Sequence, residues 1–188
     1  MLGAGSRGVI RGGLTVRDHG VRAALLIDLL QQGRLSSGVD QSYLDTTPTG
    51  FAAADRLLHY VEANPTQSMG HVLASAPVTV LDILDPLPLH ERRRPRRRRA
   101  VAVDLDDVER ERRLVDETAA RGRSDSPATA TLAVLAGALE LADADRRRAL
   151  LPWCGAARGL VEQCATYLDR LMDRQRLIQA SGTAGGGG

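Results

Sequence analysis

Apolar residues recur at three- and four-residue intervals through most of this sequence, and nearly all of them are Leu, Val or Ala. Only five aromatic residues occur: Tyr43, Phe51, Tyr60, Trp153 and Tyr167. A core with so few rings is built most readily from helices, because Leu and Ala favour helix while strands draw on aromatic and β-branched side chains. The expected fold is therefore mainly α, a single-domain helical bundle with one or two short β-hairpins. A chain of 188 residues with 43% hydrophobic composition has enough material for one sizeable core. The segments divide as a Gly-rich stretch over 1–13, a helical domain over 14–178 and a disordered tail over 179–188.

Within that frame, Val21 to Leu30 reads as a buried helix broken only by Arg22 and Asp28, with Gly33 as its stop. Ser36 to Thr47 reads as a loop or weak hairpin. Thr49 is placed to cap a helix whose stripe is Phe51, Ala54, Leu57, Leu58 and Val61 and whose end is Asn64-Pro65. Val78 to Leu84 is a short buried segment, taken as helix rather than strand. Asp104 or Asp106 opens a charged helix to about Ala120, with Val108, Leu114, Val115 and Ala119 inward and a Glu109–Arg113 pair at i,i+4 spacing outward. Ser126-Pro127 starts a helix through Leu141 that is apolar almost all round. A last helix from about Ala156 to Ile178 carries Leu160, Cys164, Leu168, Leu171 and Ile178 on one side, and Ser181 to Gly188 reads as a floppy tail.

Charge is distributed unevenly. All 25 basic residues are arginine, a bias that suggests a chain encoded in GC-rich bacterial DNA. Arg92, Arg93, Arg94, Arg96, Arg97, Arg98 and Arg99 place seven of them within eight residues; the net charge is +2, so everything else sums to −5. An acidic body with one concentrated positive prong can dock on an anionic surface, whereas a solvated loop is the plain alternative for such a run. Leu87-Pro-Leu89-His90 before the run and Ala100-Val-Ala-Val103 after it have the character of two hairpin arms with Pro95 near the tip.

Other chemical signatures are weak. Gly3-Ala-Gly5-Ser-Arg-Gly8 matches a dinucleotide-loop pattern, yet no strand precedes it and no helix follows. So Gly-rich an opening also suggests a truncated or mis-started reading frame, and Met1 to Arg11 lacks the apolar core of a signal peptide. His19, His59, His71 and His90 stand in four separate segments without metal-ligand spacing; His90, beside Glu91 and the arginines, would titrate according to the anion bound nearby. Cys154 and Cys164 are ten residues apart and read as structural thiols in a reducing cytosol, and Trp153 reads as a helix junction packed on the core. No carboxylate, His and Ser set suggests an acid–base centre, so no catalytic residue, cofactor or metal is expected. Arg22 must find solvent, a carboxylate such as Asp18 or Asp28, or a bound anion, because a buried unpaired guanidinium costs several kcal/mol, on the order of the penalty for an isolated charge.

Three stretches together carry a resemblance. Val21 through Leu35, then Pro48-Thr-Gly50 leading into Asp55-Arg-Leu-Leu58, and Ser126 through Ala136 resemble, in that order, the Golgi phosphoprotein 3-like family, and the likeness covers most of residues 14 to 178. The resemblance implies a helical domain that recognises phosphatidylinositol 4-phosphate through a shallow basic pocket, carries an apolar-tipped hairpin on the membrane-facing side and serves as an adaptor for protein partners. Arg22 matches a headgroup-binding arginine of the family. The family's pocket tryptophan falls near Gly13 and two further pocket arginines fall near Ser75 and Val78, so those contacts are lacking here, and the arginine run stands where the family inserts apolar residues. The resulting expectation is a cytoplasmic, peripherally membrane-associated protein whose headgroup ligands are Arg22 and Arg92 to Arg99, with a protein partner in addition. A nucleic-acid-associated protein is the first alternative and an enzyme of unrecognised type the second; neither an aromatic residue for stacking nor a basic body accompanies the run.

Overall fold

The computed structural model describes residues 9–11, 15–36, 43–84, 100–102, 105–139 and 147–183. Helix dominates, as a core of Leu, Val and Ala requires. Helix α1 spans Thr15–Gln31, starting more than a turn before the apolar run. It buries Ala23, Leu25, Leu26, Ile27, Leu29 and Leu30, which are spread around its circumference, so neighbours cover it on several sides. The stop is at Gly33, whose φ of 72° lets the N–H of Arg34 reach the Leu29 carbonyl at 2.9 Å and its own N–H reach Leu30 at 3.0 Å. Beyond it the chain turns back through a single antiparallel bridge, Leu35 to Leu44, pinned by an Arg34–Asp45 ion pair at 2.7 Å.

Helix α2 covers Ala52–Ala63 and buries Ala53, Ala54, Leu57 and Leu58. Phe51, not Thr49, is its N-cap residue. Thr49 works one step back: its N–H and hydroxyl both donate to Asp55 Oδ1 at 2.7 Å, and its oxygen accepts from the Phe51 N–H at 3.1 Å. That network holds the entry to the helix as a cap would, by a carboxylate reaching backward. A short helix α3, Met69–Ser75, follows, capped by the Ser68 hydroxyl; its single turn of apolar spacing is too brief to stand out in the sequence. Val80–Leu84 is helical (α4), as expected of that segment.

The hairpin expectation is corrected. Ala100–Ala102 forms a strand (β2), but it pairs antiparallel with Val9–Arg11 (β1), Val9 opposite Ala102 and Arg11 opposite Ala100. No β-hairpin is present among the described residues: these two strands are far apart in sequence. Any short β-prone segment offers the same backbone donors and acceptors, so pairing was free to go to the N-terminal strand. Leu87 to Leu89, Pro95 and the whole arginine run lie outside the described residues.

The second half of the chain surrounds α6, Pro127–Ala138, which is capped by the Ser126 hydroxyl and buries Ala130, Thr131 and every residue from Ala133 to Ala138. It packs against α5 (Leu105–Arg121), α7 (Arg147–Leu150), a 3-10 segment (Leu151–Ala157) and α8 (Arg158–Thr183). Small side chains let its C-terminal end approach α1 so closely that a Cβ on Gly20 would come within 2.6 Å of Leu139 Cδ1. On α5 the inward stripe is Val108, Val115, Thr118 and Ala119; Leu114, expected inward, is 42% exposed, because it lies one position off that stripe. The outward pairs seen on this helix are Asp107–Arg110 and Glu117–Arg121. Along α8, Leu160, Cys164 and Leu168 are buried, whereas Ile178 is 70% exposed and the helix continues through Thr183 instead of ending in a tail from Ser181. Cys154 is buried at the junction before α8, with Trp153 beside it turned outward. No described helix is long and apolar enough to cross a membrane.

Two leucines test this arrangement. Leu26→Ala, at 1% exposure, is expected to lower unfolding free energy by about 2–5 kcal/mol. Leu114→Ala is expected to cost less than about 1 kcal/mol. Urea denaturation of both variants checks the register of α5 against that of α1.

Candidate functional site

The first turns of α1 hold three of the buried polar side chains, Asp18, His19 and Arg22. Asp18 and Arg22 are four residues apart and so lie on one face of the helix. That face meets the junction between α3 and α4. The Arg22 guanidinium donates from Nε to the Val78 carbonyl at 2.8 Å and from Nη1 to the carbonyls of Leu73 and Ala74 at 2.7 and 2.9 Å. Leu73 and Ala74 belong to the last turn of α3, where carbonyls have no partner within the helix. Asp18 does the complementary task, accepting the Val80 N–H at the start of α4 at 2.9 Å. A cation thus satisfies the acceptor end of one helix and an anion the donor end of the next, both presented by α1. Burial lowers the Arg22 pKa, and the charge of Asp18 and the phenols of Tyr167 and Tyr60 oppose that shift.

His19 sits between them, 5% exposed. Its ring stacks on Tyr167 of α8 with centroids 5.6 Å apart, and its Nδ1 shares a hydrogen bond of 2.9 Å with the Tyr167 hydroxyl. Burial, reinforced by the positive charge of Arg22, holds the His19 pKa below the ordinary histidine value, while Asp18 pulls it back up. Burial likewise raises the Tyr167 pKa, so both rings are neutral near pH 7. The second layer of the junction is Arg56–Asp82, an ion pair at 2.6 Å; Asp82 also accepts from the Thr79 N–H and hydroxyl at 2.7 and 2.8 Å.

Chemically this cluster is a fastener. The Asp18 carboxylate is engaged with a backbone N–H and not with His19, so no relay runs from carboxylate through imidazole to a nucleophile. The two thiols are buried, and burial pushes the Cys164 pKa up to about 12 and raises that of Cys154, which keeps both protonated and unreactive. Among the described residues no group of three or more His, Cys, Asp or Glu side chains is placed to hold a metal ion. His59 lies 3.5 Å from Glu62 on α2, and His71 stands in the first turn of α3, far along the chain from His19.

Of the eight arginines expected to meet a headgroup, Arg22 is the one among the described residues, and its placement is internal. Of positions Ser75 and Val78, where the resemblance puts two further pocket arginines, Val78 accepts from Arg22 through its carbonyl, and Ser75 follows Ala74, whose carbonyl does the same. A serine and a fully buried valine stand there, however, so no second cation joins it. Arg92, Arg93, Arg94, Arg96, Arg97, Arg98 and Arg99 lie outside the described residues, and the chain re-enters them at Ala100 in β2. The i,i+4 spacing of Asp18 and Arg22 was a visible hint of a shared face; their partners, being backbone groups, had no sign in the sequence. Comparison with protein-family models, with curated proteins and with solved structures found no match.

Three variants test the cluster. Arg22→Met removes three hydrogen bonds and leaves buried carbonyls unfilled, with an expected loss of about 3 kcal/mol or more of unfolding free energy; Arg22→Lys recovers only part of it, since an ammonium lacks the planar fork. For His19 the folded-state pKa lies below the unfolded value of 6.5, so its contribution is fully present above pH 6.5 and is lost as pH falls toward the folded value. The depressed carboxylates Asp45, Asp55 and Asp82 act lower, beneath their ordinary 3.8. Unfolding free energy followed between pH 6.5 and 4.5 should therefore decline in the parent and decline less in His19→Gln.

Proposed function

We propose that this protein is a peripheral membrane protein that binds anionic phospholipid headgroups electrostatically, through Arg92, Arg93, Arg94, Arg96, Arg97, Arg98 and Arg99. The observation that carries the reading is the charge asymmetry: seven cations within eight residues on a chain whose remainder sums to −5. Each arginine near an acidic bilayer contributes about 1 kcal/mol, and the attraction decays over a Debye length of about 8–10 Å, so binding of this kind is reversible and weakens as salt rises. The strand β2 that begins at Ala100, directly after the run in the sequence, pairs with β1.

The resemblance to the Golgi phosphoprotein 3-like family supports a phosphoinositide-type headgroup and an adaptor role toward a protein partner on the cytoplasmic side of the membrane. The surroundings of Arg22 argue for a general anionic contact over recognition of a single phosphate position: its Nε and Nη1 already serve three carbonyls and its neighbours at 75 and 78 are uncharged. Headgroup binding is accordingly assigned to the 92–99 run, and Arg22 keeps the structural work its hydrogen bonds describe.

A nucleic-acid phosphate backbone is the competing anion. Residues 92–99 include no aromatic side chain to stack on a base, and the acidic remainder would repel a duplex laid across the body. Flotation with acidic vesicles at low salt, beside a gel-shift with single- and double-stranded probes, separates the two. We expect co-flotation of the parent, loss of it on replacing Arg96, Arg97, Arg98 and Arg99 by Ser, and unchanged helical circular dichroism in that variant. A shifted nucleic acid with no flotation would replace the membrane by nucleic acid as the target.

A further inference from the structure

The last turns of α8 are exposed among the described residues. From Arg176 onward every residue whose side chain is described is exposed, yet Leu177 and Ile178, each 70% exposed, are large apolar residues. Helices in proteins draw most of their stability from burying an apolar face, and here that face meets water. At 3.6 residues per turn, Leu177, Arg170, Ser181, Arg174 and Ile178 fall within one sector of about 100°. The sector thus combines two exposed arginines and two exposed aliphatic side chains, with no carboxylate among them.

Neighbouring acids do not neutralise it. Asp169 is held by both Nη atoms of Arg147, and Asp173 pairs with Arg176 at 3.3 Å. Arg170 and Arg174 therefore stand at the mutually repulsive i,i+4 spacing without a carboxylate partner among the described residues. A face that pairs unneutralised guanidiniums with unburied Leu and Ile matches one kind of partner well, the headgroup–acyl boundary of an acidic bilayer, where arginines meet phosphates while aliphatic groups leave water. A nucleic acid would use the arginines and leave Leu177 and Ile178 exposed.

We propose that the C-terminal turns of α8 form a second, interfacial contact, seating Leu177 and Ile178 in the boundary of an anionic membrane while Arg170 and Arg174 bind its headgroups. This rests on the membrane reading above and adds to it an apolar, salt-resistant component that the arginine run lacks. The chain path makes a joint contact feasible. Ala100, next to the run, pairs with Arg11; four residues on, Thr15 opens α1, and one turn later His19 touches Tyr167 of α8. Fully extended, that path is no longer than about 35 Å, and the ten residues of α8 from Tyr167 to Leu177 add about 15 Å.

The test uses the full chain with vesicles of equal parts phosphatidylcholine and phosphatidylserine, at low and near-physiological salt, measuring flotation together with amide exchange over residues 170–183. We expect vesicle-dependent protection of these amides in the parent. L177A/I178A, which keeps helix propensity while removing apolar bulk, should bind roughly tenfold more weakly at both salts. R170S/R174S should lose affinity chiefly at low salt, and Leu177→Trp should tighten binding, since indoles favour the interface. A parent that floats while these amides stay unprotected and L177A/I178A binds like it would overturn the α8 contact and leave the arginine-run reading standing. Equal protection by pure phosphatidylcholine overturns the role given to Arg170 and Arg174. A parent that does not float overturns both proposals, and protection by a single-stranded oligonucleotide instead would reassign the face.

Discussion

A guanidinium leaves water at a tolerable cost only if its donors find acceptors, and Arg22 finds them where the fold most needs a cation. The carbonyls of Leu73, Ala74 and Val78 are the loose end of one short helix and the connection to the next. Neither α3 nor α4 is long enough to be stable alone, so their positions follow from being fastened to α1. Asp18 on the same face completes the fastening at Val80, and Arg56 with Asp82 braces it from α2. His19 then carries the constraint across to Tyr167, which orients the long helix α8 against α1. In this sense three helices, α3, α4 and α8, depend on polar contacts made by two turns of α1.

That internal use of Arg22 divides the arginines of the chain by task. Arg22, Arg34, Arg56 and Arg147 are partnered with backbone or carboxylate groups and hold elements together. The run at 92–99 stands out by its density in the sequence, seven arginines in eight positions with Glu91 as the one carboxylate adjoining them. Arg170 and Arg174 are left over after Asp169 and Asp173 are engaged elsewhere. Structural cations are those with partners, and Arg170 and Arg174 differ from them in having exposed aliphatic side chains beside them instead of a carboxylate.

Much of the helical organisation could be anticipated, and the failures have a common cause. The burial of Leu57 and Leu58, the stop at Gly33, the start at Ser126-Pro127 and the all-round burial of α6 follow from residue type and spacing alone. The misses are places where the partner, or the lack of one, was decided by packing and not by residue type. Ala100–Ala102 found Val9–Arg11 instead of a nearby arm; Thr49 gave up capping α2 to be held by Asp55; Leu114 and Ile178, apolar by type, had nothing opposite them to bury against. Of the candidate site, Arg22 could be named from the sequence, while the use to which it is put could not.

By itself, then, the sequence determined that the chain is helical, where several helices begin and end, and that its positive charge is concentrated in one short run; each of these is a local consequence of side-chain entropy, backbone geometry or covalent adjacency. Tertiary structure alone decided which carbonyls Arg22 would serve, which strand β2 would join and which apolar side chains α8 would leave in water. The reason is that hydrogen-bonding backbone groups are the same at nearly every residue and an apolar side chain is buried only if another element arrives to cover it, so partnership is set by packing and not by residue type.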